Sequence, residues 1–104
     1  MTAVRVDIVR FADPHFPGFI EAVLKDAWGS EFRFVEKVPV VTETDLAVAS
    51  CYPQPGLIAC KILSNWRDGR GREIFTIDTE DPWGVESTDH QTRFDVLEWQ
   101  LTEC

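Results

Sequence analysis

Apolar residues in this chain recur at every second position, and no long stretch repeats every third or fourth. Val4, Val6 and Ile8 alternate with Arg5 and Asp7; Ile20, Ala22 and Leu24 alternate with Glu21, Val23 and Lys25. A period of two is what a half-buried strand requires, because successive side chains point to opposite faces. The best stretch for a helix, 16–28, is interrupted at its start by Pro17 and Gly18. The pattern predicts an all-β protein.

Six strands are expected, over residues 4–11, 19–26, 31–41, 57–66, 72–79 and 93–101. Asp13 to Gly18 is a loop, since Pro14, Pro17 and Gly18 do not belong inside a ladder. Asp26 to Ser30 turns the chain, with Gly29 free to take a positive φ. Pro39 limits the third strand to an edge or an unpaired end. Asp68-Gly69-Arg70-Gly71 is the strongest hairpin signal. Two long loops remain, 42–56 and 79–92. In the first, Thr42 to Asp45 are suited to cap a short helical turn over 46–49. The spacing predicts one domain, 1–104: a single small antiparallel barrel or sandwich of about six strands, with a partly open barrel favoured. In it Phe32 and Phe34 would stack against Ile20 and Leu24.

A chain of 104 residues that is 44% hydrophobic can bury a core without a metal or disulfide. Its longest apolar runs are four residues, against about 20 needed to span a bilayer. Residues 1–5 lack the pattern of a secretory signal. Cys51, Cys60 and Cys104 form no C-x-x-C pair, so reduced thiols in a cytoplasm are expected, Cys60 in the core and Cys104 exposed.

Charge is unevenly placed. Residues 78–104 hold eight carboxylates and one base, Arg93, in a chain of net charge −8. Such asymmetry points to partners rather than fold. Within it, Asp78, Glu80, Asp81, Glu86 and Asp89 surround Trp83 and Val85. An aromatic among carboxylates has the composition of an interface hot spot for a basic protein. The plainer alternatives are a solvated loop, or Trp83 and Val85 folding back over an open end of the barrel.

Other chemistries find less support. Read as an EF-hand from Asp78, the loop has Trp83 where glycine belongs and Asp89 where glutamate belongs, so no metal is expected. Ser87, Asp89 and His90 are too close in sequence to be a triad. His15 and His90 are too few for most zinc sites. Gly69-Arg70-Gly71-Arg72 joins strands without a following helix and is not a phosphate cradle. Arg67, Arg70 and Arg72 make a small basic tip, but net −8 argues against nucleic acid. No catalytic residue and no cofactor is expected.

The segments Phe34-Val35-Glu36-Lys37-Val38-Pro39-Val40-Val41, Tyr52-Pro53-Gln54-Pro55-Gly56, Trp66-Arg67-Asp68 with Gly71-Arg72-Glu73, and Gly84-Val85-Glu86-Ser87 resemble short bacterial proteins of unknown function. The resemblance covers most of the chain. It implies a bacterial cytoplasmic setting and brings no activity, cofactor or catalytic residue.

The leading expectation is a non-enzymatic protein-binding module docking a basic partner through Asp78, Glu80, Asp81, Trp83, Glu86 and Asp89. An immunity-type protein neutralising a basic nuclease toxin is one version. The rival is a small-ligand binder or enzyme with a pocket where loops 42–56 and 79–92 meet, lined by some of Trp28, Trp66, Trp83 and Trp99 and holding His90 or a cysteine. Edge protection by Pro39 and the strand charges favours a monomer or weak homo-oligomer.

Overall fold

Over the described residues the alternating pattern folds into eight strands in two antiparallel sheets. The structure is a computed structural model and describes residues 1–103. The expectation for Cys104 lies outside the described residues.

The first sheet is built on one long strand, β1 (Thr2–Asp13). Its neighbours are β2 (Phe19–Lys25), β3 (Glu31–Lys37), β4 (Gln54–Ala59) and β8 (Leu101–Glu103), in the order β3-β2-β1-β4 with β8 also on β1. β4 takes one edge of β1 from Ala3 to Ile8. The other edge is divided: β8 pairs with Thr2 to Val4, and β2 with Asp7 to Asp13. The second sheet has the order β5-β6-β7, with β5 Lys61–Arg67, β6 Glu73–Asp78 and β7 Arg93–Leu97. The two sheets are not closed into a barrel.

Four expectations need correction. Strand 31–41 stops at Lys37, and Val38–Val41 forms a single helical turn, α1, with Pro39 in its first turn. A missing N–H costs nothing there, because the first N–H groups of a helix have no partner within it. Strand 57–66 is two strands in different sheets. Cys60 lies between them; its N–H still reaches the Thr2 carbonyl, at 3.0 Å, while Lys61 already pairs with Asp78. Strand 93–101 breaks into β7, a 3-10 turn (Glu98–Gln100) and β8. Residues 46–49 form no helix. A single turn over 47–50 takes its place: the Ser50 N–H donates to the Ala47 carbonyl at 3.0 Å, the Ala47 N–H donates to Ser50 Oγ at 2.9 Å and the Tyr52 hydroxyl donates to the Ala47 carbonyl at 2.7 Å, so side chains reinforce the turn without extending it into a helix.

The core draws on both sheets. Val4, Ile8, Ile20, Leu24, Phe34 and Ile58 from the first meet Ile77, Phe94 and Val96 from the second, with Cys60 buried among them. Leu24 pairs with Phe32 as expected, and Phe34 sits opposite Ala22. Phe94 joins the sheets: its ring lies 5.0 Å from that of Phe32 and 5.7 Å from that of Phe34, both edge to face. Each such large side chain contributes roughly 1.5–3 kcal/mol by leaving water.

Two of the turns share one construction. At Asp26–Ser30 the Asp26 N–H donates to the Ser30 carbonyl and the Gly29 N–H to the Asp26 carbonyl, while Asp26 Oδ1 accepts the Trp28 and Ser30 amides. Asp68–Arg72 repeats every one of these contacts, with Gly71 in place of Gly29. Both glycines have positive φ, 85° and 79°. No helix among the described residues is long and apolar enough to cross a membrane.

Candidate functional site

Loop 79–92 is held down at three points. Thr79, wholly buried, donates its amide to the Thr92 carbonyl at 2.8 Å and its hydroxyl to the Val85 carbonyl at 2.7 Å. Val85 enters the core, 1% exposed. The Thr88 amide donates to the Arg33 carbonyl on β3 at 2.8 Å. Trp83 and Val85 therefore part company: the valine is core and the tryptophan stands 62% exposed.

The far end of the loop is a third turn of the kind at Asp26 and Asp68. The Ser87 N–H donates to the Gln91 carbonyl, the His90 N–H to the Ser87 carbonyl, and Ser87 Oγ accepts the Gln91 amide at 3.0 Å. Ser87 takes the aspartate's place and His90 the glycine's, with φ 64°. The sequence signal at 26 and 68 is Asp followed three residues on by Gly; at 87 neither residue is present, so this turn was missed.

The six expected partner-binding residues all lie on or beside this loop, with different freedom. Asp78, the last residue of β6, is half-buried; its Oδ1 accepts the Glu80 amide at 2.9 Å and its Oδ2 lies 4.0 Å from Arg93 Nε. Glu80 and Asp81 are exposed, and among the described residues no cation pairs with either. Glu86 Oε1 faces His90 Nδ1 at 3.0 Å. Asp89 accepts the Ser87 hydroxyl and, at 2.9 Å, Gln91 Nε2. The Ser87 hydroxyl does most to hold the Asp89 carboxyl below the ordinary aspartate range. The Ser87 hydroxyl thus donates to Asp89 and the His90 ring faces Glu86, so Ser87 Oγ and the His90 imidazole are not hydrogen-bonded to each other as a base-activated nucleophile would be. Among the described residues no group of three or more His, Cys, Asp or Glu is placed to hold a metal ion.

The second feature is a cleft of about 920 Å³ along β4 and the outward side of β1. Residues 42–44, Pro55 and Leu57 line it on one side, and Trp83 and Trp99 also border it. Arg5 steadies the Trp99 turn by donating Nε to the Trp99 carbonyl at 3.2 Å. The expected meeting of loops 42–56 and 79–92 is realised here through Trp83, but neither His90 nor Cys51 nor Cys60 lines the cleft. The four tryptophans separate into pairs. Trp83 and Trp99 border the cleft, while Trp28 and Trp66 lie together with ring centroids 6.2 Å apart. Arg72 covers Trp28 at 5.4 Å, and the Asp95 carboxylate accepts both Trp28 Nε1 and the Thr76 hydroxyl. Trp99, one of the four tryptophans expected as candidates to line a pocket, reaches the cleft from the 3-10 turn that breaks the last strand at Glu98.

No protein-family model matches the chain, and no curated protein or solved structure matches it significantly.

Proposed function

We propose that this chain is a non-enzymatic protein-binding module that docks a basic protein through loop 79–92, with Glu80, Asp81, Trp83, Glu86 and Asp89 as its contact residues and Asp78 anchoring their base. The observation that carries this reading is the fixed loop: Thr79, Val85 and Thr88 tie it to the core and to β3, and leave Trp83 and the unpaired Glu80 and Asp81 facing water. Groups held in place before contact lose less freedom on binding. Neutralisation of a basic toxin in a bacterial cytoplasm is one form this role takes. We read the chain as one domain and its two sheets as an open sandwich with Phe94 between them.

The test uses a partner recovered on the immobilised protein and then purified. Its association rate should fall steeply with rising salt. A Glu80→Gln/Asp81→Asn/Glu86→Gln/Asp89→Asn variant should associate about tenfold more slowly at low salt. A rate indifferent to both salt and variant overturns the reading.

The cleft supports a second reading, a site for a small apolar ligand, because two exposed tryptophans border a volume within the range of about 300–1,000 Å³ that such ligands use. Trp83→Ala would then weaken ligand and protein partner alike, whereas Trp99→Ala would weaken the ligand alone.

A further inference from the structure

Strand β5 is exposed at all seven positions, including three large apolar ones: Ile62 and Leu63 at 40% and Trp66 at 39%. Among the described residues it pairs only with β6, so every second main-chain N–H and C=O along it faces outward. Other edges are covered in part. The Thr88 amide reaches the Arg33 carbonyl on β3, and the Ala27 amide reaches the Asp95 carbonyl on β7, at 2.8 Å each. No loop main chain among the described residues bonds to Lys61–Arg67 in this way.

The edge also carries the opposite charge to the rest of the chain. Residues 61–72 hold four bases, Lys61, Arg67, Arg70 and Arg72, and one acid, Asp68, in a chain of net −8. Asp68 is already engaged by Arg72, at 2.9 Å. A second copy of this chain fits poorly. Antiparallel pairing of β5 with itself about Ser64 sets Lys61 opposite Arg67, and like charges directly opposite are destabilising. The register slip between Ile62 and Ser64 bends the strand there and leaves Ser64–Arg67, beside the basic hairpin, as the straight part of the edge.

We propose that the open edge of β5 receives an extended acidic segment of a partner protein as an added strand, with Trp66 offering an apolar contact and Arg67 and Arg70 meeting its carboxylates. Main-chain hydrogen bonds supply affinity in this mode, and side chains supply selection. The surface is separate from loop 79–92 and does not depend on the function proposed for that loop.

The probe is a blocked synthetic peptide in which Val and Thr alternate with Glu, compared with one carrying Lys at the Glu positions. The acidic peptide should slow amide exchange in β5 at least tenfold and shift its amide resonances, an effect lost in high salt. The Lys peptide should do neither. Arg67→Glu/Arg70→Glu should reverse the preference, and Glu80→Gln/Asp81→Asn should leave it unchanged. Equal binding of both peptides, protection confined to other strands, or protection of β5 by a dimer without peptide would each overturn the proposal.

Discussion

Gln100 Nε2 donates to the main-chain carbonyl of Lys25 at 2.6 Å, tying the 3-10 turn before the last strand to the end of β2. The same side chain accepts the Leu97 amide on its Oε1 at 2.9 Å, and the residue is 4% exposed. One amide therefore closes two backbone valences at the point where β7 gives way to β8. Gln100→Leu keeps the bulk and removes both bonds. It should cost about 3 kcal/mol in urea unfolding, the penalty for stranding two backbone groups. A loss below about 0.5 kcal/mol would mean that water replaces the amide there.

Gly56 permits a close approach in the interior. A Cβ there would lie 2.7 Å from Val41 Cγ1 and 3.0 Å from Ile8 Cδ1. Gly56→Ala should lower stability by about 1–3 kcal/mol through overpacking. Adding Val41→Ala should then cost less than it does alone, because the two changes share one volume. Strict additivity in the double-mutant cycle would show that the sheet shifts to accommodate the methyl group.

His90 occupies, at φ 64°, the position that glycine fills in the two related turns. A left-handed conformation costs a non-glycine residue roughly 1–2 kcal/mol, part of which glycine returns through its freer unfolded chain. His90→Gly should raise stability by about 0.5–1 kcal/mol. His90→Ala should not, since it keeps the strain and loses the Glu86 contact. Equal destabilisation by both changes in thermal unfolding would contradict this account.

Acid should loosen the β5–β6 hairpin. Desolvation raises the Asp68 carboxyl, but the Arg72 amide and guanidinium and the Arg70 amide outweigh it, so Asp68 is held below the ordinary value of 3.8. A depressed carboxyl stabilises the fold above its unfolded pKa, and the contribution is lost as pH falls through the folded value. Stability followed by urea titration should therefore decline as pH drops below about 4. Asp68→Asn should be less stable at neutral pH and should flatten that decline. An unaltered slope would place the acid sensitivity in Asp13, Asp89 and Glu103, which are depressed in the same direction.

What the sequence revealed follows from how locally each feature is determined. Alternation is local, so Ile20-Ala22-Leu24 could be assigned to one face, and the Asp-x-x-Gly turns at 26 and 68 could be read directly. Sheet membership is not local. Ile58, Cys60 and Ile62 keep a period of two across the junction, and only pairing partners, Thr2 behind Cys60 and Asp78 ahead of it, divide residues 57–66 between sheets. The site was legible to the same degree. Composition picked out loop 79–92, but the burial of Val85 against the exposure of Trp83 depends on Thr79, a residue with no sequence signal of its own. The third turn escaped because Ser87 and His90 replace the residues that announce it.

β6 separates two opposite charges. The basic hairpin adjoins it at Glu73 and the acidic loop leaves it at Asp78, five residues or roughly 17 Å apart along the strand. That spacing is about twice the screening length of about 8 Å in physiological salt. At such ionic strength the poles are electrically insulated, and occupancy of one neither repels nor recruits a ligand at the other. In dilute buffer the screening fails and the molecule becomes a dipole that turns in the field of whatever approaches it. Ionic strength thus sets whether this chain meets its surroundings as two independent ends or as one oriented body.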